Sequence, residues 1–442
     1  MPTRDHDNAE THAADLAPLL RFLNESPTPF HAVANIAARL RDAGYTETDE
    51  GADFKAAPGK YFFIRDGSLI AAQFSGSPQT RGFRLVGAHT DSPCLKLKPN
   101  ALAAGNGYAK LAPEVYGGAL LAPWFDRGLG LAGRVTLNAD GAMTGRLINI
   151  ARPIAFIPSL AIHLDRGVNE NRSINKQKEL PAILCRADEG PDFPDFNELL
   201  REQLLREHPR LKVEKILAFD LCLYDCQPAE VVGLKREFVA SARLDNLLSC
   251  YAAVEALLAP QDAGEQNNNI IALNDHEEVG SVSAGGADGP FLQSVLRRLC
   301  GGGDNLARAL RHSMLVSADN AHGVHPNYPD KHEPAHRPLL NAGPVIKINS
   351  NQRYATSGET AGWFRRICER AGIPCQSIVT RSDMGCGSTI GPITAAKLGV
   401  RTADIGVAQL GMHSARELAG AHDQKMLADA LREFFGGEEW PF

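Results

Sequence analysis

From Lys235 to the C-terminus, short β-branched runs alternate with longer stretches of helical period, and this alternation constrains the fold more than any other feature. Residues 270–274, 314–318, 345–348, 377–380 and 402–407 read as strands. Residues 244–258, 291–299, 306–311, 359–370, 393–398 and 424–435 read as helices. The pattern predicts an α/β fold: a mixed or largely parallel sheet covered by helices on both faces.

Two other textures precede it. Leu16, Leu19, Leu20 and Leu23 recur near a 3.6-residue period until Ser26-Pro27-Thr28-Pro29 breaks the run. A second helix is expected over 31–43 with Gly44 as its stop, then a hairpin, 61–64 and 69–74, turning on Asp66-Gly67. Residues 83–88 form an apolar strand that runs directly into His89-Thr90-Asp91. From 97 to 235, Gly- and Pro-rich pieces alternate with short β-branched stretches, which predicts an inserted, mainly β domain. The expected division is 1–96 and 236–442 as two parts of one α/β domain, with 97–235 inserted between them.

A chain of 442 residues exceeds what one compact core usually holds, which agrees with that division. With 44% apolar and 22% charged residues the composition is that of a soluble globular protein. A formal net charge of -6 offers no bulk attraction to nucleic acid or to an anionic membrane. No apolar run is long enough to span a bilayer, and the polar start lacks the apolar stretch of a secretory signal. Nine scattered cysteines, an odd number, suggest free thiols in a reducing compartment, so the expected location is the cytoplasm.

The acids and histidines fall in telling places. His89 and Asp91 follow the strand ending at Ala88, Asp275, Glu277 and Glu278 follow the strand ending at Asn274, and Asp319 follows the strand ending at Ala318. Open α/β sheets build their sites outside the carboxyl ends of strands, so three strands deliver acids or histidine to one edge. Such a cluster suits a divalent metal held by mixed nitrogen and oxygen ligands. In His89-x-Asp91 an imidazole can bind metal while a nearby carboxylate holds its other ring nitrogen. If the chain is extended at Glu277-Glu278, the two side chains diverge, one to ligate and one to take a proton from water.

Three other motifs are decoys. His332-Glu333-Pro334-Ala335-His336 matches HExxH, but that motif needs a helix and Pro334 sits inside it. Gly128-Leu129-Gly130-Leu131-Ala132-Gly133 matches GxGxxG yet precedes a strand and hairpin instead of opening a helix. Cys222 and Cys226 lie in an apolar strand-like run and are expected in a core rather than on a metal.

Six blocks occur in an order that resembles the M18 metallo-aminopeptidases, the aspartyl aminopeptidase family: VGAHTDSPCLKLKP (86–99), SARLDNL (241–247), NDHEEVGS (274–281), SADNAHGVHPNY (317–328), GPVIKINSNQRYA (343–355) and GMHSARE (411–417). The likeness covers nearly the whole length. It implies a zinc exopeptidase fold and a site with two zinc ions per subunit, and the same ligands also accept cobalt or manganese. His89 and Asp319 would hold one ion, Glu278 and His413 the other, with Asp245 bridging. Glu277 would be the general base, and Asp91 would support His89. Read without the family, Asp245 looks like a helix cap and His413 like a lone histidine in a Gly-rich turn.

The resemblance further implies peptide substrates with an acidic N-terminal residue, contacted by His322, Lys347 and Tyr354. The inserted segment would be a dimerisation domain, and dimers would build a tetrahedral dodecamer. His163 would reach into a neighbouring subunit's site; residue type alone would make it a metal ligand, but the metals already have theirs. Asn274-Asp275-His276 departs from the commoner form with a single Asn or Asp before the glutamates, and His276 is expected at the surface. Residues 381–387 differ in detail from eukaryotic members, which leaves the strictness of the Asp/Glu preference open. A non-catalytic metal-binding shell protein on the same fold is the alternative reading.

Overall fold

A computed structural model describes residues 16–187, 193–260 and 267–437; the polar start of the chain lies outside them. A helix over 16–25 and a second, Pro29–Asp42, bury their leucine and valine stripes, and the proline at the second helix's start is one the first turn accommodates. The hairpin follows as Gly59–Arg65 and Ser68–Phe74. Its turn residue Gly67 has no room for a side chain: a Cβ there would lie 2.2 Å from Asp275 Oδ2, so the turn packs directly against the loop that carries the glutamate pair.

Nine strands form the main sheet, in the order Thr46–Glu47, Gly59–Arg65, Ser68–Phe74, Asn269–Asn274, Arg84–His89, Met314–Ala318, Arg401–Gly406, Val345–Ile348 and Gln376–Val379. The sheet is mixed, with a parallel centre from Asn269–Asn274 to Arg401–Gly406. Side chains alternate across it as the two-residue strand period requires. Phe62, Leu69, Val86 and Ile271 pack on one face under helices that include Leu244–Leu258 and Asp423–Gly436. Phe63, Ile70, Leu85 and Ile270 pack on the other against Phe291–Cys300 and Gly303–Arg311.

Between the strand Arg84–His89 and the helix Leu244–Leu258, six strands close into a barrel: Val213–Asp225, Cys94–Gly105, Tyr108–Tyr116, Ala182–Arg186, Ala142–Phe156 and Gly128–Ala139. Leu95, Leu131, Val135, Ile148 and Leu221 fill its core, joined by Leu200 and Leu204 of the helix Phe196–Glu207. The GxGxxG run lies inside the strand Gly128–Ala139. Its last glycine, Gly133, adopts φ +150, and a Cβ there would sit 2.0 Å from the Asp220 carbonyl oxygen, so this glycine serves close strand packing. Cys222 and Cys226, expected in a core, are only half-buried, and all nine cysteines are free. A third sheet of five short strands runs from Glu230–Val232 to Ala321–His322 and includes Ala408–Leu410 and Glu417–Gly420. No described helix is long and apolar enough to cross a membrane.

Candidate metal centre

The three strands that end in acids or histidine are consecutive neighbours, Asn269–Asn274 beside Arg84–His89 beside Met314–Ala318, all parallel. Their carboxyl ends therefore sit side by side, and a cavity of about 350 Å³ opens there. His89, Asp245, Glu277, Glu278, Asp319, His322, Lys347, Tyr354 and His413 all contribute to its wall. A larger recess of about 620 Å³ between Leu16, Tyr251 and Lys425 lies elsewhere; every acid–histidine group able to hold an ion, among the described residues, belongs to the smaller cavity.

Asp245 and His413 come from outside the strand ends the sequence highlights. Asp245 lies at the start of Leu244–Leu258, where it and Asn246 depart from helical φ/ψ, so its carboxylate is turned into the cavity instead of capping the helix. His413 follows the short strand Ala408–Leu410 in a turn and adopts φ +68. The two carboxylate oxygens of Asp245 face opposite partners. Oδ1 is 3.4 Å from His89 Nε2, which is itself 3.6 Å from Asp319 Oδ1. Oδ2 is 3.6 Å from His413 Nε2, which is 3.3 Å from Glu278 Oε2. Two groups share Asp245, His89–Asp245–Asp319 and Asp245–Glu278–His413, and a third is His89–Glu277–Glu278; each has its potential ligand atoms within 4.8 Å of one another.

Three buried atoms in these groups, His89 Nε2, Asp245 Oδ1 and Glu278 Oε1, have no hydrogen-bond partner. Buried polar atoms left unpaired are costly, and a cation coordinated between them removes that cost. The titration tendencies agree. Burial pushes the Glu277 carboxyl up to about 8, with Asp319, Glu278 and Asp91 adding to the rise. Burial likewise raises Glu278 to about 7, and Asp245 adds to it. Against the same upward push, Lys347 and His89 hold Asp319 below the usual carboxylate range. The wall is thus a crowded set of acids, and its nitrogen and oxygen donors suit zinc.

Asp91 is buried behind His89. Its backbone carbonyl lies 3.0 Å from His89 Nδ1 and its carboxylate 3.4 Å away, leaving Nε2 to face the cavity. The Asp91 carboxylate also accepts the backbone N–H groups of Glu277 and Glu278, each at 3.1 Å, and the Tyr116 hydroxyl at 2.7 Å. The glutamate pair does not lie on extended chain. Glu277–Val279 is a 3-10 turn entered through His276 at φ +67, so both carboxylates line the same cavity instead of diverging. His276 itself, expected at the surface, is half-buried, with Nδ1 2.9 Å from Ser283 Oγ.

Lys347 is almost wholly buried, its ammonium 3.4 Å from Asp319 Oδ2 and over the Tyr354 ring at 5.5 Å. Tyr354 sits in a loop tethered by Asp404, whose Oδ2 accepts the Ala355 N–H at 2.5 Å. His163 does not line this cavity; it lies in an exposed segment with Leu160, Ile162 and Leu164. The HExxH residues 332–336 are not helical, and His336 pairs with Glu333 at 2.5 Å. One buried residue that sequence reasoning passed over is Glu417, which accepts the backbone N–H of both Asp245 and His413. Inside GMHSARE nothing but the motif itself marks it.

Residues 22–435 match the family model described as aminopeptidase I zinc metalloprotease, M18. The chain belongs to the M18 family of metallo-aminopeptidases. A probable M18 family aminopeptidase 2 of Pseudomonas aeruginosa is 58% identical over 426 residues, 96% of this chain and 98% of that protein. Among solved structures, the chain resembles one from the cryo-EM structure of the Ape4 and Nbr1 complex, with a TM-score of 0.92 and 37% identity over 99% of this chain and 87% of that one. It also resembles the mApe1 dodecamer of S. cerevisiae, with a TM-score of 0.81 and 27% identity over 97% of this chain and 96% of that one. M18 membership makes the protein a peptide hydrolase of the zinc metalloprotease class, acting on peptide N-termini.

Proposed function

We propose that the protein is a dinuclear zinc aminopeptidase that removes N-terminal residues, preferentially Asp or Glu. The observation that carries the dinuclear reading is Asp245, whose two oxygens face His89 and His413 separately at 3.4 and 3.6 Å. Asp245 would thus share in holding both ions, one with His89 and Asp319 and the other with Glu278 and His413. Divalent ions bound there supply the Lewis acidity that makes water a nucleophile near neutral pH and polarises a carbonyl.

This chain's residues do the rest. Glu277 is the general base: it lines the cavity outside the two groups that share Asp245, and an ionised carboxylate there can take a proton from water and return it to the leaving amine. Asp91 fixes the backbone from which Glu277 projects. A peptide's free α-amine is drawn to the acid-rich wall, and an internal peptide bond lacks that group, which accounts for action at chain ends. Lys347 offers the cationic partner for an acidic side chain, with His322 and Tyr354 beside it.

The likeness to a dodecameric relative supports assembly of this chain into a dodecamer. In that assembly residues 97–235 would be the dimerisation domain, and the exposed His163 would complete a neighbour's site. The direct test is zinc content per subunit, measured together with aspartate release from short Asp-peptides and leucine release from Leu-peptides. Two zinc ions and faster aspartate release support the reading. One ion, or equal rates, would overturn the corresponding half.

A further inference from the structure

Glu417 lies at the start of the strand Glu417–Gly420, behind the cavity wall and 3% exposed. It touches no substrate space. Its Oε2 accepts the Asp245 backbone N–H at 3.0 Å, and its Oε1 accepts the His413 backbone N–H at 2.8 Å. A third donor, the Gln409 side-chain amide, approaches Oε1 at 3.3 Å. Gln409 is fixed in turn, because its Oε1 accepts the Asn320 amide at 2.7 Å, and that same amide also donates to the Leu244 carbonyl at 2.8 Å. Asn320 directly follows Asp319.

The two residues braced by Glu417 are those that regular secondary structure places least well. Asp245 has φ -81 and ψ 107 inside a nominal helix, and His413 has φ +68. A carboxyl group presents an oxygen to each of the two N–H groups at once. Glutamine presents one acceptor and one donor, so it can satisfy one N–H and must point its own N–H₂ at the other. Aspartate keeps both oxygens but is one methylene shorter.

We propose that Glu417 is a positioning residue that sets the separation of Asp245 and His413, now 3.6 Å between Oδ2 and Nε2, and thereby the geometry of the ion site they share with Glu278. The inference rests on the dinuclear reading above. It assigns to a residue that contacts neither metal nor peptide a share of the metal affinity, acting through the ligands' main chain. Partners of metal ligands outside the coordination sphere typically contribute about 10- to 100-fold in affinity.

The experiment titrates zinc into the metal-free full-length chain in competition with a chromogenic chelator, for the wild type, Glu417→Gln and Glu417→Asp, with thermal melting of each metal-free protein alongside. The expected result is two zinc ions per wild-type subunit and, in Glu417→Gln, one of the two weakened by about 10- to 100-fold. Excess zinc should then restore kcat with KM little changed, a rescue that a merely damaged fold would not show. Should Glu417→Gln fail to melt cooperatively, Glu417→Asp carries the same test. A wild type that takes up two ions while the folded variants match its affinity overturns the inference alone. A wild type that takes up fewer than two overturns the dinuclear reading, and this inference with it.

Discussion

Asp91 Oδ1 accepts the backbone N–H of Glu277 at 3.1 Å, joining the end of one strand to the turn that follows its neighbour. Because the turn is pinned through its main chain, the Glu277 side chain can be altered without releasing the turn. Glu277→Gln should therefore retain its full zinc content while turnover falls by roughly 10²-fold or more, the usual worth of a general base. Metal analysis beside steady-state kinetics checks it. Near-normal turnover would remove Glu277 from the role.

Lys347 has two claims on its charge, the Asp319 carboxylate at 3.4 Å and an incoming acidic side chain. Lys347→Ala should cut kcat/KM on Asp- and Glu-peptides at least 10-fold more than on Leu-peptides, about 1.4 kcal/mol of discrimination. An equal loss on both substrates would show that the ammonium serves Asp319 alone.

If His163 acts in the site of a neighbour, activity can be rebuilt from two disabled subunits. His163→Ala and Glu277→Gln chains, each slow alone, should recover a measurable fraction of wild-type turnover when dissociated, mixed and reassembled. A mixture no faster than its parents would place His163 outside the composite site.

His31 gives a pH prediction away from the metal centre. Burial lowers its pKa to about 4, with Arg243 adding to the effect, and the Thr28 hydroxyl lies 2.8 Å from Nδ1. The unfolded chain binds the proton near 6.5, so between about 4 and 6.5 the unfolded state holds more protons than the folded one. The contribution is therefore complete above about pH 6.5 and fades as the pH falls towards 4, by on the order of 2 kcal/mol. Thermal melting at pH 7 and pH 5 should show a smaller drop for His31→Gln than for the wild type. Identical drops would count against His31 as the source.

Much of the scaffold is legible in the sequence because burial writes it there. Met314–Ala318 and Val345–Ile348 match the expected bounds, since a strand covered on both faces reads as a mainly apolar run, broken here only by Ser317 and Lys347. The acids after Ala88, Asn274 and Ala318 are legible for the same reason, as each marks where such a run stops. Asp245 is not, because an acid opening a helix looks the same whether it caps the helix or turns away from it. Closure of the barrel is equally hidden: Gly128–Ala139 passes through a glycine run whose purpose, close approach to the Asp220 carbonyl, exists only once the strands pair. The condition under which the glutamates would diverge, an extended chain, is not met, since a 3-10 turn does not follow the two-residue alternation of a strand.

The barrel departs from the sheet at Cys94, just past Ser92, and the chain returns through Phe238–Ser241 to Asp245. Those two roots are stitched together, for the Ser92 hydroxyl donates to the Asp245 carbonyl at 2.5 Å. A push or pull on the barrel thus reaches both roots at one spot, beside the carboxylate that faces both histidines. Replacing the barrel with a relative's version calls for cuts outside this stitch, because a graft that leaves Ser92 and Asp245 in separate halves would put its seam through the pivot of the site.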